Sequence, residues 1–155
     1  MKLYHGSNTI IEQIDLSKCK PYKDFGQGFY LTAIKEQAEQ MARCTSAIYG
    51  GEPVVTEFEF DETALNVLSV KTFEEPSEEW ALFVMANRSR NHLQPTHGFD
   101  IVIGPVADDT IATLFRNFDD GIIDLPMLVN GLKYKKVSSQ YLFHSVEAIK
   151  YLCRI

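Results

Sequence analysis

Apolar positions between residues 34 and 49 recur with the period of an α-helix. Thr32 is the predicted N-cap of this helix, and the Gly50-Gly51 pair is its predicted end. The positions predicted to share its apolar face are Ile34, Ala38, Met41, Ala42, Thr45, Ile48 and Tyr49.

Four segments carry the patterns of β-strands. Residues 54–60 alternate between apolar and polar side chains, which predicts a half-buried strand. Short apolar runs predict further strands around 65–70, at 99–103 before Gly104-Pro105, and at 138–144. A first short strand is expected at the N-terminus, where the chain starts with an apolar-aromatic segment.

Helix-start residues precede the remaining apolar stretches. Ser77, the Asp108-Asp109 pair, Asp124 and Ser145 are the predicted helix starts, since short polar side chains accept hydrogen bonds from the first free amides of a helix. The last helix is expected to place Ala148, Ile149 and Leu152 on one face. The pattern predicts a mixed α+β protein with short strands that are mostly not adjacent in sequence.

Composition limits the classes of protein to consider. The 155 residues are 45% hydrophobic and contain neither repeats nor low-complexity segments, so one domain over residues 1–155 is expected. A net charge of −6 argues against sequence-independent binding of nucleic acid. Three widely spaced cysteines suggest neither disulfides nor zinc, and no signal peptide or membrane span is evident. We therefore expect a soluble, cytoplasmic protein.

Two motifs carry the candidate chemistry: Tyr-His-Gly-Ser at 4–7 and Asp-Phe-Gly-Gln-Gly-Phe-Tyr-Leu-Thr at 24–32. His5 offers a directional ring nitrogen to a ribose hydroxyl, and Ser7 offers its hydroxyl to the carboxamide of the nicotinamide. Gly6 lets its backbone N–H and C=O approach a carboxamide closely, and Gly28 lets the second motif approach a ligand. Tyr30 can stack on a nicotinamide ring. Together the motifs predict a pocket for a nicotinamide dinucleotide.

These motifs resemble the NAD-binding core of the ADP-ribosyltransferases, in the branch of diphtheria toxin and the poly(ADP-ribose) polymerases, which has a His-Tyr-Glu triad. The resemblance implies split mixed β-sheets with flanking helices, NAD as substrate and no metal. Residues 99–109 also resemble an uncharacterised bacterial family of this superfamily. The triad positions fall on His5, Tyr30 and Gln140. The implied NAD contacts are His5, Gly6, Ser7, Gly28, Phe29, Tyr30, Leu31, Ala38 and Met41.

Gln140 is the main departure from the family pattern, because it stands where the triad has glutamate. Its amide can bind a ribose hydroxyl, but it lacks a charge worth roughly 4 kcal/mol opposite a cationic sugar. Ala38 likewise replaces a serine of the polymerases and supplies no hydroxyl. If these two replacements have abolished catalysis, a Gln140→Glu substitution would gain NAD cleavage.

The resemblance implies an NAD-dependent mono-ADP-ribosyltransferase that releases nicotinamide and modifies a macromolecular acceptor. By analogy, it would act as a toxin-type effector restrained by an antitoxin or immunity partner. The alternative is a catalytically inactive module of the same fold that binds NAD or a target. An RNA 2′-phosphotransferase is disfavoured because the chain has only five arginines, of which Arg43 is the first.

Two basic clusters flank the motifs and leave the acceptor class open between protein and nucleic acid. A nucleic-acid acceptor would need lysines with interleaved aromatic side chains near the reacting sugar. The clusters comprise Lys18, Lys20, Tyr22 and Lys23, and Lys133, Tyr134, Lys135 and Lys136. Three histidines lack metal-ligand spacing and receive no predicted role: His92, His97 and His144.

Overall fold

Seven strands form two separate sheets in the computed structural model, which describes residues 1–133 and 135–155. The strands are β1 (Lys2–Ser7), β2 (Phe29–Leu31), β3 (Val54–Phe60), β4 (Val70–Thr72), β5 (Ile101–Pro105), β6 (Ser139–Phe143) and β7 (Leu152–Arg154). The six α-helices within these residues are α1 (Lys35–Tyr49), α2 (Ala64–Val67), α3 (Glu78–Arg88), α4 (Asp109–Asp119), α5 (Leu125–Leu132) and α6 (Val146–Ile149). A 3-10 helix spans Leu16–Lys18.

The first sheet is antiparallel with strand order β1-β3-β7, and the second has the order β2-β6-β5-β4. Within the second sheet β4 and β5 run parallel, whereas the other neighbouring strands are antiparallel. The predicted α+β class is confirmed. The two sheets meet at Tyr4 of β1 and Thr32 after β2, which exchange backbone hydrogen bonds of 2.8 and 3.0 Å.

Two hydrophobic clusters cover opposite faces of the second sheet. One lies against the first sheet and includes Leu3, Phe29, Phe58, Phe60 and Phe143. The other lies against the helices and includes Phe25, Trp80, Val102, Ile111 and Leu142. Because side chains alternate along a strand, β2 and β6 contribute to both clusters. Tyr30 and its cross-strand partner Leu142 therefore lie on the helix-covered face.

The predicted helix starts are confirmed by their hydrogen bonds. In each case the side-chain oxygen accepts from a backbone amide in the first turn, which satisfies one of the donors that a helix start leaves free. The pairs are Ser77 with Trp80, Asp108 with Ile111, Asp124 with Met127, and Ser145 with Ala148.

Three predictions of local structure were wrong. Residues 65–70 do not form a strand, since α2 occupies Ala64–Val67 and β4 starts at Val70. Leu152 is not on the last helix but opens β7, which pairs with β3, a contact that local periodicity does not encode. Thr32 is not the N-cap of α1, because it lies at the bridge to β1 and the N-cap position falls on Ile34.

The buried face of α1 is narrower than the apolar pattern suggests. Ala38 and Ala42 are buried against β1, whereas Met41, Ile48 and Tyr49 are more than half exposed. Small side chains on this face let the helix lie close to the strand. The closest approach is at Gly6 of β1, where an added Cβ would overlap the carbonyl oxygen of Ala38.

Candidate functional site

Backbone pairing between β1 and β2 is limited to the Tyr4–Thr32 bridge, which leaves a gap in the pairing beyond it. Three predicted site residues lie at this gap. We name this gap, bordered by His5, Gly6 and Tyr30, the β1–β2 cleft. If the antiparallel register continued past the bridge, Gly6 would pair with Tyr30. Among the described residues the bridge is isolated, so the two strands diverge at this point.

The backbone of Gly6 has an open edge that faces the cleft. Tyr4 directs its N–H and C=O to Thr32, and alternate residues of a strand direct these groups to the same edge. Gly6 therefore directs its own N–H and C=O away from β3 and toward β2. No described residue hydrogen-bonds to them, although Gly6 is buried. Buried backbone groups normally have partners, so this donor–acceptor pair is well suited to a bound ligand.

His5 lies beside this edge in a fixed orientation. Its ring stacks on Phe29 at a centroid distance of 4.4 Å, and its Nδ1 lies 2.8 Å from the carbonyl oxygen of Tyr30. Nδ1 therefore carries a proton and donates it to that carbonyl. Burial lowers the pKa of His5, and the charge of Lys23 lowers it further. In the neutral ring Nε2 is an acceptor, and no described residue hydrogen-bonds to it.

Side chains hold three consecutive carbonyls of the loop at 24–28. His97 Nε2 lies 2.7 Å from the oxygen of Phe25, and the Tyr30 hydroxyl donates to the oxygen of Gly26 at 2.6 Å. His144 Nδ1 lies 2.5 Å from the oxygen of Gln27. The two histidines come from positions far along the chain, so neither spacing nor composition predicted their role. They fix the loop that precedes Tyr30.

The phenol of Tyr30 is enclosed by this loop. Its hydroxyl also accepts from the Phe25 amide at 3.0 Å, so the hydroxyl is used within the protein. Burial raises the pKa of Tyr30 far above its usual range, with a contribution from the charge of Asp24. The phenol therefore stays protonated at neutral pH. What Tyr30 can offer a ligand is the remaining exposed part of its ring.

Two positions of the second motif, Gly26 and Gly28, require glycine for different structural reasons. Gly26 has a φ of +90°, which disfavours other residues. At Gly28 an added Cβ would overlap the Leu142 side chain and lie 2.7 Å from the backbone oxygen of Phe143. Gly28 thus allows the loop to cross β6 closely, and this packing accounts for the residue without a ligand.

Gln140 belongs to a hydrogen-bonded network with Asp24. Its Nε2 donates to Asp24 Oδ2 at 2.9 Å, and the Ala107 amide donates to the same oxygen at 3.3 Å. Arg88 binds Oδ1 through Nε at 2.7 Å and Nη2 at 2.5 Å. Sequence reasoning missed Asp24 and Arg88, although Asp24 opens the second motif.

The other residues predicted to contact NAD differ in how far their side chains are buried. Phe29 and Leu31 are buried in the cluster between the sheets, and Phe29 supports the His5 ring from behind. Ala38 is buried against β1, whereas Met41 is 58% exposed. The hydroxyl of Ser7 has no hydrogen-bond partner among the described residues. The structure therefore gathers His5, Gly6 and Tyr30 around the cleft and leaves Met41 on the outer surface of α1.

One lysine of the first basic cluster lies near Tyr30 and His5, and another lies at the end of α1. The Lys23 ammonium is 5.5 Å from the centroid of the Tyr30 ring, and its charge acts on His5. Lys20 donates a 2.5 Å hydrogen bond to the Tyr49 hydroxyl at the end of α1. In the second cluster, Tyr134 lies outside the described residues.

Two surface cavities lie away from the cleft. One, of about 430 Å³, is lined by residues of α5 and by Glu78 of α3. The other, of about 60 Å³, adjoins the loop at Gly26 and Gln27 and includes His92 and His97. Neither is lined by His5, Gly6, Tyr30 or Gln140. The candidate site therefore rests on backbone and side-chain geometry, not on an enclosed cavity.

Acid is expected to weaken the fold through His97. Its Nδ1 accepts from the Phe99 amide at 3.1 Å while Nε2 donates to Phe25, so both bonds require a neutral ring. Burial lowers the pKa of His97, and the nearby His144 ring lowers it further. The unfolded chain binds this proton near pH ~6.5 and the folded chain only at lower pH, so stability should fall as the pH decreases.

The measurement is the unfolding temperature of the wild type and of His97→Gln between pH 7.5 and pH 5, chosen to bracket the ordinary histidine pKa of about 6.5. We expect a shallower pH dependence for the variant, with a remaining slope from His5. Parallel curves for the two proteins would contradict the assignment.

Two further properties concern the described residues as a whole. No helix among them combines the length and the apolar character needed to cross a membrane. No group of three or more histidine, cysteine, aspartate or glutamate side chains within residues 1–133 and 135–155 is arranged to hold a metal ion.

Comparisons with known proteins give one match. A family model aligns with residues 1–153, which is nearly the whole chain. No curated protein and no solved structure matches the sequence. The extent of the one match is sufficient to assign the chain, which belongs to the family described as "Protein of unknown function (DUF3990)".

Proposed function

We propose that this protein is an NAD-dependent mono-ADP-ribosyltransferase whose nicotinamide site is the β1–β2 cleft. The observation that carries the proposal is the open backbone edge of Gly6. Its N–H and C=O form a donor–acceptor pair without a described partner. A carboxamide has the complementary acceptor and donor, so it can bind this edge as a neighbouring strand would.

The arrangement of the sheets supports the same proposal. A three-stranded and a four-stranded sheet touch at one bridge and then diverge, with helices against the outer faces. This agrees with the split mixed sheets that the resemblance to ADP-ribosyltransferases implies. The triad histidine and tyrosine fall on the two strands that border the divergence.

His5 has the protonation state that ribose binding requires. Its Nδ1 proton is committed to the Tyr30 carbonyl, and the lowered pKa keeps the ring neutral at pH 7. Nε2 can then accept a hydrogen bond from a ribose hydroxyl. Phe29 fixes the ring plane from behind, so the acceptor has a set direction.

In the proposed reaction the bond between nicotinamide N1 and ribose C1′ breaks, and its electron pair leaves with neutral nicotinamide. A nucleophilic atom of the acceptor bonds to C1′ and loses its proton to solvent or to a base of the acceptor. Gln140 presents a neutral amide to the sugar, which favours single transfer over chain elongation. The acceptor is a protein or a nucleic acid.

The test is incubation of the purified protein with labelled NAD and a cell lysate. We expect transfer of label to a macromolecule, and His5→Ala should reduce the initial rate by about 100-fold, as removal of one transition-state hydrogen-bond partner typically does. His92→Ala is the matched control, because it removes a histidine outside the cleft. Unfolding temperatures measured in parallel separate loss of the fold from loss of the site.

The outcomes distinguish this proposal from a binding module. Protease or nuclease sensitivity of the label identifies the acceptor class. Equal transfer by the wild type and His5→Ala would refute the assigned site. Binding of NAD without release of nicotinamide, under all lysate conditions, would instead favour a module that has kept the nucleotide and lost the chemistry.

A further inference from the structure

The carboxylate of Asp24 is enclosed by hydrogen bonds from three parts of the chain. Arg88 of α3 binds Oδ1, while Ala107 and Gln140 bind Oδ2. The Asp24 side chain is only 13% exposed. With both oxygens occupied, Asp24 has little capacity to touch a substrate itself, but it can act on the groups that surround it.

Asp24 determines which way the Gln140 amide points. An ionised carboxylate only accepts hydrogen bonds, so the amide atom that faces it must be the nitrogen. The carbonyl oxygen Oε1 is then turned away from Asp24. No described residue donates to Oε1, and the described structure contains no buried side-chain oxygen without a partner, so Oε1 is accessible.

Gln140 shares the helix-covered face of the sheet with Tyr30. Tyr30 pairs with Leu142, and Gln140 lies two residues from Leu142 on the same strand. Diagonal neighbours of this kind are about 7–8 Å apart, a distance that a ribosyl group can span. The charge of Asp24 also acts on Tyr30. The amide and the charge behind it therefore belong to the surroundings of the cleft.

We infer that Asp24 is a positioning residue for NAD cleavage, which holds the Gln140 amide so that Oε1 accepts a hydrogen bond from the ribose. This rests on the proposed function. The hydrogen bond to an anion also polarises the amide and increases the negative partial charge on Oε1. Together the two residues would replace the glutamate of the ADP-ribosyltransferase triad. Gln140 supplies the hydrogen-bond acceptor, and Asp24 supplies the negative charge behind it.

The inference changes the expected result of Gln140→Glu. By sequence alone this substitution restores the glutamate of the ADP-ribosyltransferase triad. In the fold it places a second carboxylate where the Gln140 amide now lies 2.9 Å from Asp24, and two such carboxylates cannot both ionise without a large cost. The single variant should therefore be less active than the wild type.

The experiment measures nicotinamide release from NAD by the full chain. Asp24→Asn should lower kcat by about tenfold or more with KM for NAD changed less than threefold, because the interaction acts mainly in the transition state. Gln140→Glu should also lose activity. The swapped pair Asp24→Asn/Gln140→Glu again joins an amide to a carboxylate and should exceed the kcat of Gln140→Glu by about tenfold.

Glu12→Gln is the matched control, since Glu12 is an exposed acid of the same connection with no hydrogen-bond partner among the described residues. Unfolding temperatures show whether each variant is folded at the assay temperature. Rescue by the swapped pair supports the inference, because a purely structural role for Asp24 would not move kcat selectively.

Two results would overturn the inference, and they are distinguishable. If the wild type releases nicotinamide and Asp24→Asn keeps its kcat, or Gln140→Glu gains activity, Asp24 does not position Gln140 and the proposed function stands. If the wild type leaves NAD intact with every acceptor tried, the proposed function fails and the inference fails with it.

Discussion

Gly6→Ala is expected to lower the free energy of unfolding by about 3 kcal/mol, the upper end of the usual cost of overpacking. An added Cβ would overlap the carbonyl oxygen of Ala38 and lie 2.8 Å from the backbone nitrogen of Ala42. Both obstructing atoms belong to the backbone of α1, so no side-chain rotation relieves the clash. The helix must move away from β1.

Chemical denaturation of Gly6→Ala and of Gly98→Ala measures this effect. Gly98 is a matched control because an added Cβ there has no neighbour within 4 Å. Equal midpoints for the two variants would contradict the close approach of α1. Gly6 thus has two reasons to be glycine, helix packing and an open backbone edge, and for this reason the functional test uses His5 instead.

Arg88→Met is expected to lower the free energy of unfolding by about 2 kcal/mol, because the mostly buried carboxylate of Asp24 loses its charged hydrogen-bond partner. Arg88 donates a hydrogen bond from Nε to Asp24 Oδ1 and forms an ion pair with it through Nη2, and the remaining partners of Asp24 are the Ala107 amide and Gln140. The Arg88 guanidinium also lies 5.8 Å from the centroid of the Phe115 ring, so methionine removes this cation–π contact together with the ion pair. The change in the free energy of unfolding therefore measures what the charged guanidinium of Arg88 contributes.

The matched control is Arg116→Met, since the Arg116 side chain is exposed and hydrogen-bonds to none of the described residues. Denaturation midpoints at neutral pH compare the two variants. A drop of the same size in both would show that the Arg88–Asp24 pair adds nothing to stability. A drop in Arg88→Met alone would show that the contacts of the Arg88 guanidinium with Asp24 and Phe115 stabilise the fold.

Local signals predicted those elements that local chemistry determines. Ser77, Asp108, Asp124 and Ser145 cap helices because the side chain and the amide it binds are three residues apart. The strand β7 was missed because its partner β3 lies about ninety residues earlier. The hydrogen bonds of β7 come from its pairing with the edge of β3. A strand of only three residues is too short to show a periodic pattern that would reveal this partner.

The candidate site divides in the same way. His5, Gly6 and Tyr30 were predicted from two short motifs, because each motif holds its own glycines and its candidate side chain within a few residues. His97 and His144 were assigned nothing by their spacing, yet they bind the carbonyls of Phe25 and Gln27 in the loop at 24–28. Their partners lie 72 and 117 residues away, so only the folded chain brings them together.

By itself, the sequence determined the α+β class, the helix starts and the pair of motifs, since these depend on periodicity and on contacts within one turn or loop. Only the tertiary structure decided that Gly6 has an open edge, that His5 is a neutral acceptor and that Gln140 is joined to Asp24. These properties depend on burial and on hydrogen bonds between distant segments. Local sequence does not specify either of them.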